Sequence, residues 1–113
     1  VKHTSLKKNS EFSRIYKKGK SRVHPFLVTY VYKRRDDTLR VGITASKKTG
    51  NAVLRNRARR VIKAALANCG LQGNEGVSIV FVARGATALK KSYEIENVMK
   101  NHLKELGVLA YDK

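Results

Sequence analysis

Five cations, Arg55, Arg57, Arg59, Arg60 and Lys63, crowd a single nine-residue stretch with Asn56 among them, and no acidic residue lies between Thr38 and Asn74. In a helix that stretch makes about two and a half turns, so like charges three and four positions apart repel by a few tenths of a kcal/mol per pair. A solvated helix face normally mixes both signs. A face of one sign is expected where a polyanion neutralises it, and the planar donor fork of arginine matches phosphate geometry. Asn56 can add a hydrogen bond to a base edge or a ribose hydroxyl. Lys47 and Lys48 stand just before the helix, whose first N–H groups also favour anions, and they extend the same site.

A second pattern interleaves aromatic residues with cations. Phe12 and Tyr16 belong to one segment and Phe26, Tyr30 and Tyr32 to the next, with Lys7, Lys8, Arg14, Lys17 and Lys18 around the first pair. Rings stack on bases at about 1–3 kcal/mol each while cations follow the backbone, so single-stranded RNA suits this pairing. Protein-based catalysis has little support. His3, His24 and His102 are scattered, with no second histidine in register for an acid/base pair and no spacing that makes a zinc site. Glu11 and the Asp36-Asp37 pair are the only acidic residues before Glu75, so the clustered carboxylates of a two-metal nuclease are missing. The lone Cys69 excludes an intrachain disulfide and reads as a small buried hydrophobe.

Charge balance agrees with these sites. The 113 residues carry 25 Lys+Arg against 8 Asp+Glu, a net of +17, which points to a polyanionic partner. Residues 1–63 hold 19 of the cations and 3 of the acids, so the partner is expected to meet the first half of the chain. With no apolar run of about 18 residues and no secretory signal at the start, a cytoplasmic protein without a membrane partner is expected. Nor does any linker or repeat divide the sequence, so residues 1–113 are read as one RNA-binding domain.

The elements that must position these residues follow from pattern. Asn9 or Ser10 can cap a first helix that carries Phe12, Ile15 and Tyr16 on one face and stops at a left-handed Gly19. Residues 21–24 form a short strand broken by Pro25, and residues 26–32 a strand apolar on both faces. A charged turn over 33–38 leads to residues 39–45, expected to pair antiparallel with the preceding strand. Asn51 is expected to cap the basic helix, read over residues 53–67, with Leu54, Ala58, Val61, Ile62, Ala65 and Cys69 on its packing side and Gly70 as its stop. A glycine-rich turn over 70–76 precedes residues 77–83, so apolar that they should lie inside the sheet. Ser92 can cap a last helix with Ile95, Val98, Met99, Leu103 and Leu106 as its buried stripe. The fold class is α+β, a two-layer αβ sandwich with a helix layer on a small mixed sheet.

The run Val41-Gly42-Ile43-Thr44-Ala45-Ser46-Lys47-Lys48-Thr49-Gly50-Asn51-Ala52-Val53-Leu54-Arg55-Asn56-Arg57-Ala58-Arg59-Arg60 resembles the signature of the bacterial ribonuclease P protein subunit. The family's Arg-Asn-Arg motif matches Arg55, Asn56 and Arg57, its following basic positions match Arg59, Arg60 and Lys63, and its paired lysines match Lys47 and Lys48. Similarity also covers Leu6-Lys7-Lys8-Asn9 with Phe12 and Tyr16, the strand from Phe26, and Val82-Ala83-Arg84.

This resemblance implies a role in removing the 5′ leader from precursor tRNA. The catalyst would be the ribonuclease P RNA, which holds the Mg²⁺, with none bound by the protein alone. Arginine-helix binding of that RNA and a leader cleft between the first helix and the sheet are implied too, as are a ribosomal-protein-like fold and a left-handed crossover around the basic helix. Leader contacts carry over to Lys8, Phe12, Tyr16, Leu27 and Thr29; with Leu27, Thr29 and Val31 in the cleft, Phe26, Val28 and Tyr30 would belong to the core. Which face of that strand meets the leader stays open, because both are apolar. Partners implied are the ribonuclease P RNA and precursor tRNA, with no obligate protein partner. The rival is a non-catalytic ribosomal or rRNA-associated protein, which would show the same basic helix; a self-sufficient nuclease using His24 or His102 is a distant third.

Overall fold

Residues 77–83, apolar at almost every position, end at the centre of a five-stranded sheet where both faces are covered. The computed structural model describes residues 4–34, 38–71 and 76–108. In chain order the elements are β1 (Thr4–Ser5), α1 (Asn9–Lys18), β2 (Lys20–His24), β3 (Leu27–Lys33), β4 (Leu39–Thr44), α2 (Ala52–Ala67), β5 (Val77–Ala83) and α3 (Ser92–Glu105). Single 3-10 turns occupy Lys47–Thr49 and Thr87–Leu89. Residues 35–37 of the charged turn, residues 72–75 of the glycine-rich turn, and His3 lie outside the described residues.

The strands run in the order β1-β4-β5-β3-β2. β5 pairs antiparallel with β3 and parallel with β4, while β1 pairs parallel with the outer edge of β4. The expected β3–β4 hairpin therefore does not form. β5 takes the place between them, because a strand apolar on both faces buries more surface in the middle of a sheet than at its rim.

α2 and α3 pack side by side on one face. There Ala58, Ile62, Ala65, Ile95, Met99 and Leu103 meet Leu27, Val31, Val41, Ile79 and Phe81 in the main core. α1 lies on the opposite face, where Ile15 packs with Leu6 and Val80 in a second, smaller core flanked by Phe12, Tyr30, Tyr32 and Val82. The helix layer expected on a single side is thus supplemented by α1 on the other.

Helix ends follow the expected chemistry in part. Asn51 Oδ1 accepts the Leu54 N–H at 3.0 Å, capping α2 as its sequence position implies. At α1 the cap position is Lys8, with no side-chain bond, so neither Asn9 nor Ser10 serves. Gly19 leaves α1 in extended backbone with φ −77 rather than in the left-handed conformation. At α3 the cap position is Lys91 instead of Ser92, and the Lys91 N–H donates to the Glu94 carboxylate at 2.9 Å.

Thr29 and His102 form a buried polar pair between sheet and α3, with Thr29 Oγ1 and His102 Nδ1 2.9 Å apart. Burial lowers the pKa of His102 below 6.5; His24 and Arg22 push the same way and Glu105 opposes. A folded-state value below the unfolded one means that the neutral form is favoured by folding. The stabilisation is complete above about pH 6.5 and declines as pH falls through that value toward the folded pKa. Thermal melting between pH 7 and pH 5 should show this decline, and His102→Gln should flatten it.

Candidate nucleic-acid interface

Four glycine-to-cap features set up the basic face. The Ser46 hydroxyl accepts the Lys48 N–H at 3.3 Å, Thr49 is buried and donates to the Ala83 carbonyl at 3.4 Å, Gly50 adopts φ 138, and Asn51 caps α2. A side chain at Gly50 would be strained by that φ and would meet Leu54 Cδ1 at 2.6 Å, so glycine is required for the chain to turn into the helix. Lys47 and Lys48 project from the turn into solvent.

Along α2, Ala58, Ile62, Ala65 and Leu66 are buried, while Asn56, Arg57, Arg60 and Lys63 are exposed and Arg55 and Arg59 half-buried. Among the described residues no carboxylate pairs with any cation of α2. Arg59 is the one that the protein itself orients. Its guanidinium donates to Asn56 Oδ1 at 3.3 Å and to the Ala45 carbonyl at 3.4 Å, tying the helix to the end of β4 and fixing the Asn56 amide. Beside it a groove of about 490 Å³ runs between α2 and the β1–β4 edge, with Arg59 and Lys63 on one side and Leu6, Val41 and Ile43 on the other.

On the other face of the sheet the strand registers line up three rows of side chains, the first being Tyr32, Ser78 and Arg40. The middle row, Ser21, Tyr30, Val80 and Gly42, lies under α1. Tyr16 meets Tyr30 edge-on with ring centroids 4.9 Å apart, and Phe12 lies 6.4 Å from Tyr16. A Cβ at Gly42 would come within 2.6 Å of the Phe12 ring, so the absence of a side chain there lets the ring settle onto the sheet. The next row, Val23, Val28, Val82 and Thr44, is open to solvent to varying degrees, and Val23 is 67% exposed. Phe12 and Tyr16 form a wall above this apolar floor. Because Thr44 precedes Ala45, Ser46, Lys47 and Lys48, the cleft opens toward the start of the basic helix.

Two of the leader residues inferred from resemblance are therefore corrected. Leu27 and Thr29 are fully buried on the α2–α3 face, Thr29 held by His102, and neither can line a cleft beneath α1. Their neighbours Val28, Tyr30 and Tyr32 occupy the α1 face instead. The sequence held a signal for this: a tyrosine suits a half-buried position because it has an apolar ring and a polar tip, and two of them alternate on that strand face. Lys8 is exposed at the start of α1, and its carbonyl accepts the first helical N–H groups from Glu11 and Phe12 at 3.1 and 3.3 Å. Phe12 is half-buried and Tyr16 is 41% exposed.

His24 and His102, far apart in sequence, meet with ring centroids 6.3 Å apart, each already engaged in a hydrogen bond. His102 is buried in its bond to Thr29, and His24 Nδ1 accepts the Phe26 N–H at 3.1 Å. Cys69 is buried, and loss of hydration raises its thiol pKa from 9.0 to about 11, with Glu96 adding to the rise and Lys100 opposing it. Such a thiol is a poor nucleophile at neutral pH. Among the described residues no group of three or more His, Cys, Asp or Glu side chains is placed to share a metal ion. No described helix is long and apolar enough to cross a membrane.

Known proteins share both sequence and shape with this chain. The Ribonuclease P protein component of Clostridium kluyveri is 42% identical over 105 residues, covering 91% of this chain and 94% of that protein. That of Clostridioides difficile is 41% identical over 104 residues, covering 91% of each. The solved RNase P protein of Staphylococcus aureus superposes with a TM-score of 0.77 at 34% identity, covering 95% of this chain and 98% of that one. The family model described as Ribonuclease P matches residues 1–107, a span that includes α1, the five strands and α2. The chain belongs to the ribonuclease P protein family, the protein component of a tRNA-processing endonuclease whose other partner is the RNase P RNA.

Proposed function

We propose that this protein anchors the catalytic RNA on the α2 face and holds the single-stranded 5′ leader of precursor tRNA in the cleft beside α1, so that the holoenzyme removes the leader in the cytoplasm. The observation that carries the reading is the placement of two different RNA-binding chemistries on opposite faces of one sheet. On α2 and the turn before it, Lys47, Lys48, Arg55, Arg57, Arg59, Arg60 and Lys63, cations without carboxylate partners among the described residues, are spaced for phosphates, with Asn56 among them. Beside α1, Phe12 and Tyr16 rise over an apolar floor that suits unstacked bases, with Lys8 at the helix start to meet a phosphate. Tyr30 and Val28 replace Thr29 and Leu27 in that role.

In this reading the chain performs no bond cleavage. The RNA subunit holds the Mg²⁺ that supports hydrolysis, and the protein contributes position and charge. Neutralised phosphates let two polyanions approach each other, and a leader held in the cleft adds binding energy that mature tRNA cannot gain. Reconstitution tests this directly. The protein mixed with ribonuclease P RNA at low magnesium should promote 5′ cleavage of a precursor tRNA, and protein without that RNA should leave the precursor intact. No stimulation by the protein would sink the proposal.

A further inference from the structure

The cations of α2 do not end at the helix. A groove of about 430 Å³ lies between α2 and the segment that leads into α3, with Arg57 and Arg60 on one wall and Lys90, Lys91, Leu89 and Tyr93 on the other. Among the described residues no acidic side chain lines it. Lys90 and Lys91 come from the half of the chain whose charges nearly balance, yet folding brings them opposite two of the arginines. Lys90 lines that wall while its ammonium lies 4.4 Å from the centre of the Phe26 ring. Glu94, the nearest acidic residue in sequence, turns its carboxylate back onto the Lys91 N–H.

Tyr93 and Leu89 are 62% and 74% exposed, two of the large apolar side chains that the fold leaves in solvent. An exposed ring between converging cations is the arrangement that binds an unpaired nucleotide, the ring taking the base and the cations the flanking phosphates. An apolar protein segment would need fewer charges, and an acidic one would not use the ring. We propose that this groove takes an unpaired nucleotide of the RNA subunit, its base on Tyr93 and its neighbouring phosphates on Arg57, Arg60, Lys90 and Lys91. The occupant is the RNA subunit rather than the leader because the groove shares α2 with the anchoring face and lies across the sheet from the α1 cleft. The inference rests on the proposed anchoring role of α2 and extends it to a second wall.

Equilibrium binding of the ribonuclease P RNA transcript by the full chain is the test, over a range of salt. Tyr93→Ala should weaken assembly about tenfold, the effect of one lost stacking contact, with the salt slope unchanged. Tyr93→Phe should restore the affinity, because the ring is kept. Lys90→Ala with Lys91→Ala should instead lower the salt slope by roughly one to two units. Melting temperatures of the Tyr93 variants should match the parent, since the ring is exposed. Wild-type affinity in Tyr93→Ala would overturn the groove while leaving the α2 anchor intact. Intact assembly with loss of precursor tRNA binding would also overturn it, by placing substrate there. Failure of the unaltered protein to bind the RNA would remove the anchoring role and the groove with it.

Discussion

Arg57→Ala combined with Arg60→Ala is expected to weaken assembly with the RNA subunit by roughly a hundredfold and to reduce the salt dependence of binding by nearly two units. Each guanidinium stands exposed on α2 without a carboxylate partner among the described residues, so its removal costs little within the protein. A charge-assisted hydrogen bond to phosphate contributes about 1.5–3 kcal/mol, and two of them at the lower end of that range, as suits exposed side chains, amount to about two decades in affinity. Each neutralised phosphate also releases counterions, which makes log K fall with log salt by about 0.7–0.9 per contact. Measuring the dissociation constant at several salt concentrations separates the two effects. An unchanged slope would mean that this face is solvated in the complex. Arg59→Ala should behave differently, because its guanidinium is engaged with Asn56 and Ala45; part of its effect would come from releasing the Asn56 amide.

Tyr16→Ala is expected to weaken binding of precursor tRNA to the assembled holoenzyme by about tenfold while leaving mature tRNA binding and RNA-subunit assembly unchanged. The ring stands over Tyr30 at the lip of the cleft and is 41% exposed, so its loss removes a stacking surface without opening the core. Phe12→Ala would impair the leader as well, but that ring also packs on Gly42 and the Leu6 cluster, and some loss of fold stability would accompany it. Comparing precursor with mature tRNA isolates the leader contribution. Equal loss of both would argue that the α1 cleft holds some other part of the substrate.

How much of this was legible in the sequence depended on whether a feature was local. The α2 face, its Asn51 cap and its packing side could be read directly, because helical periodicity and capping act within a few residues. The central position of β5 followed from its apolar composition. Strand pairing did not: β3 and β4 are adjacent in sequence, and only the long-range competition won by β5 separates them. The face of β3 stayed open for a similar reason. The resemblance carried a leader contact over to Thr29, but His102, far along the chain, supplies the partner that lets its hydroxyl be buried on the α3 side. The groove at Tyr93 is likewise invisible in sequence, since Arg57 and Lys91 meet only through the packing of α2 beside the start of α3.

The central claim is that one face of the sheet serves the catalytic RNA and the other serves the leader. Site-directed crosslinking from Tyr16→Cys and, separately, from Arg60→Cys tests it most directly. The native Cys69 is buried with its thiol pKa pushed up to about 11, so a thiol-reactive photocrosslinker should label the introduced cysteine. In holoenzyme assembled with precursor tRNA, the probe at position 16 should reach the 5′ leader and the probe at position 60 the RNA subunit. Attachment of both probes to the same RNA, or the two targets exchanged, would contradict the division between the faces.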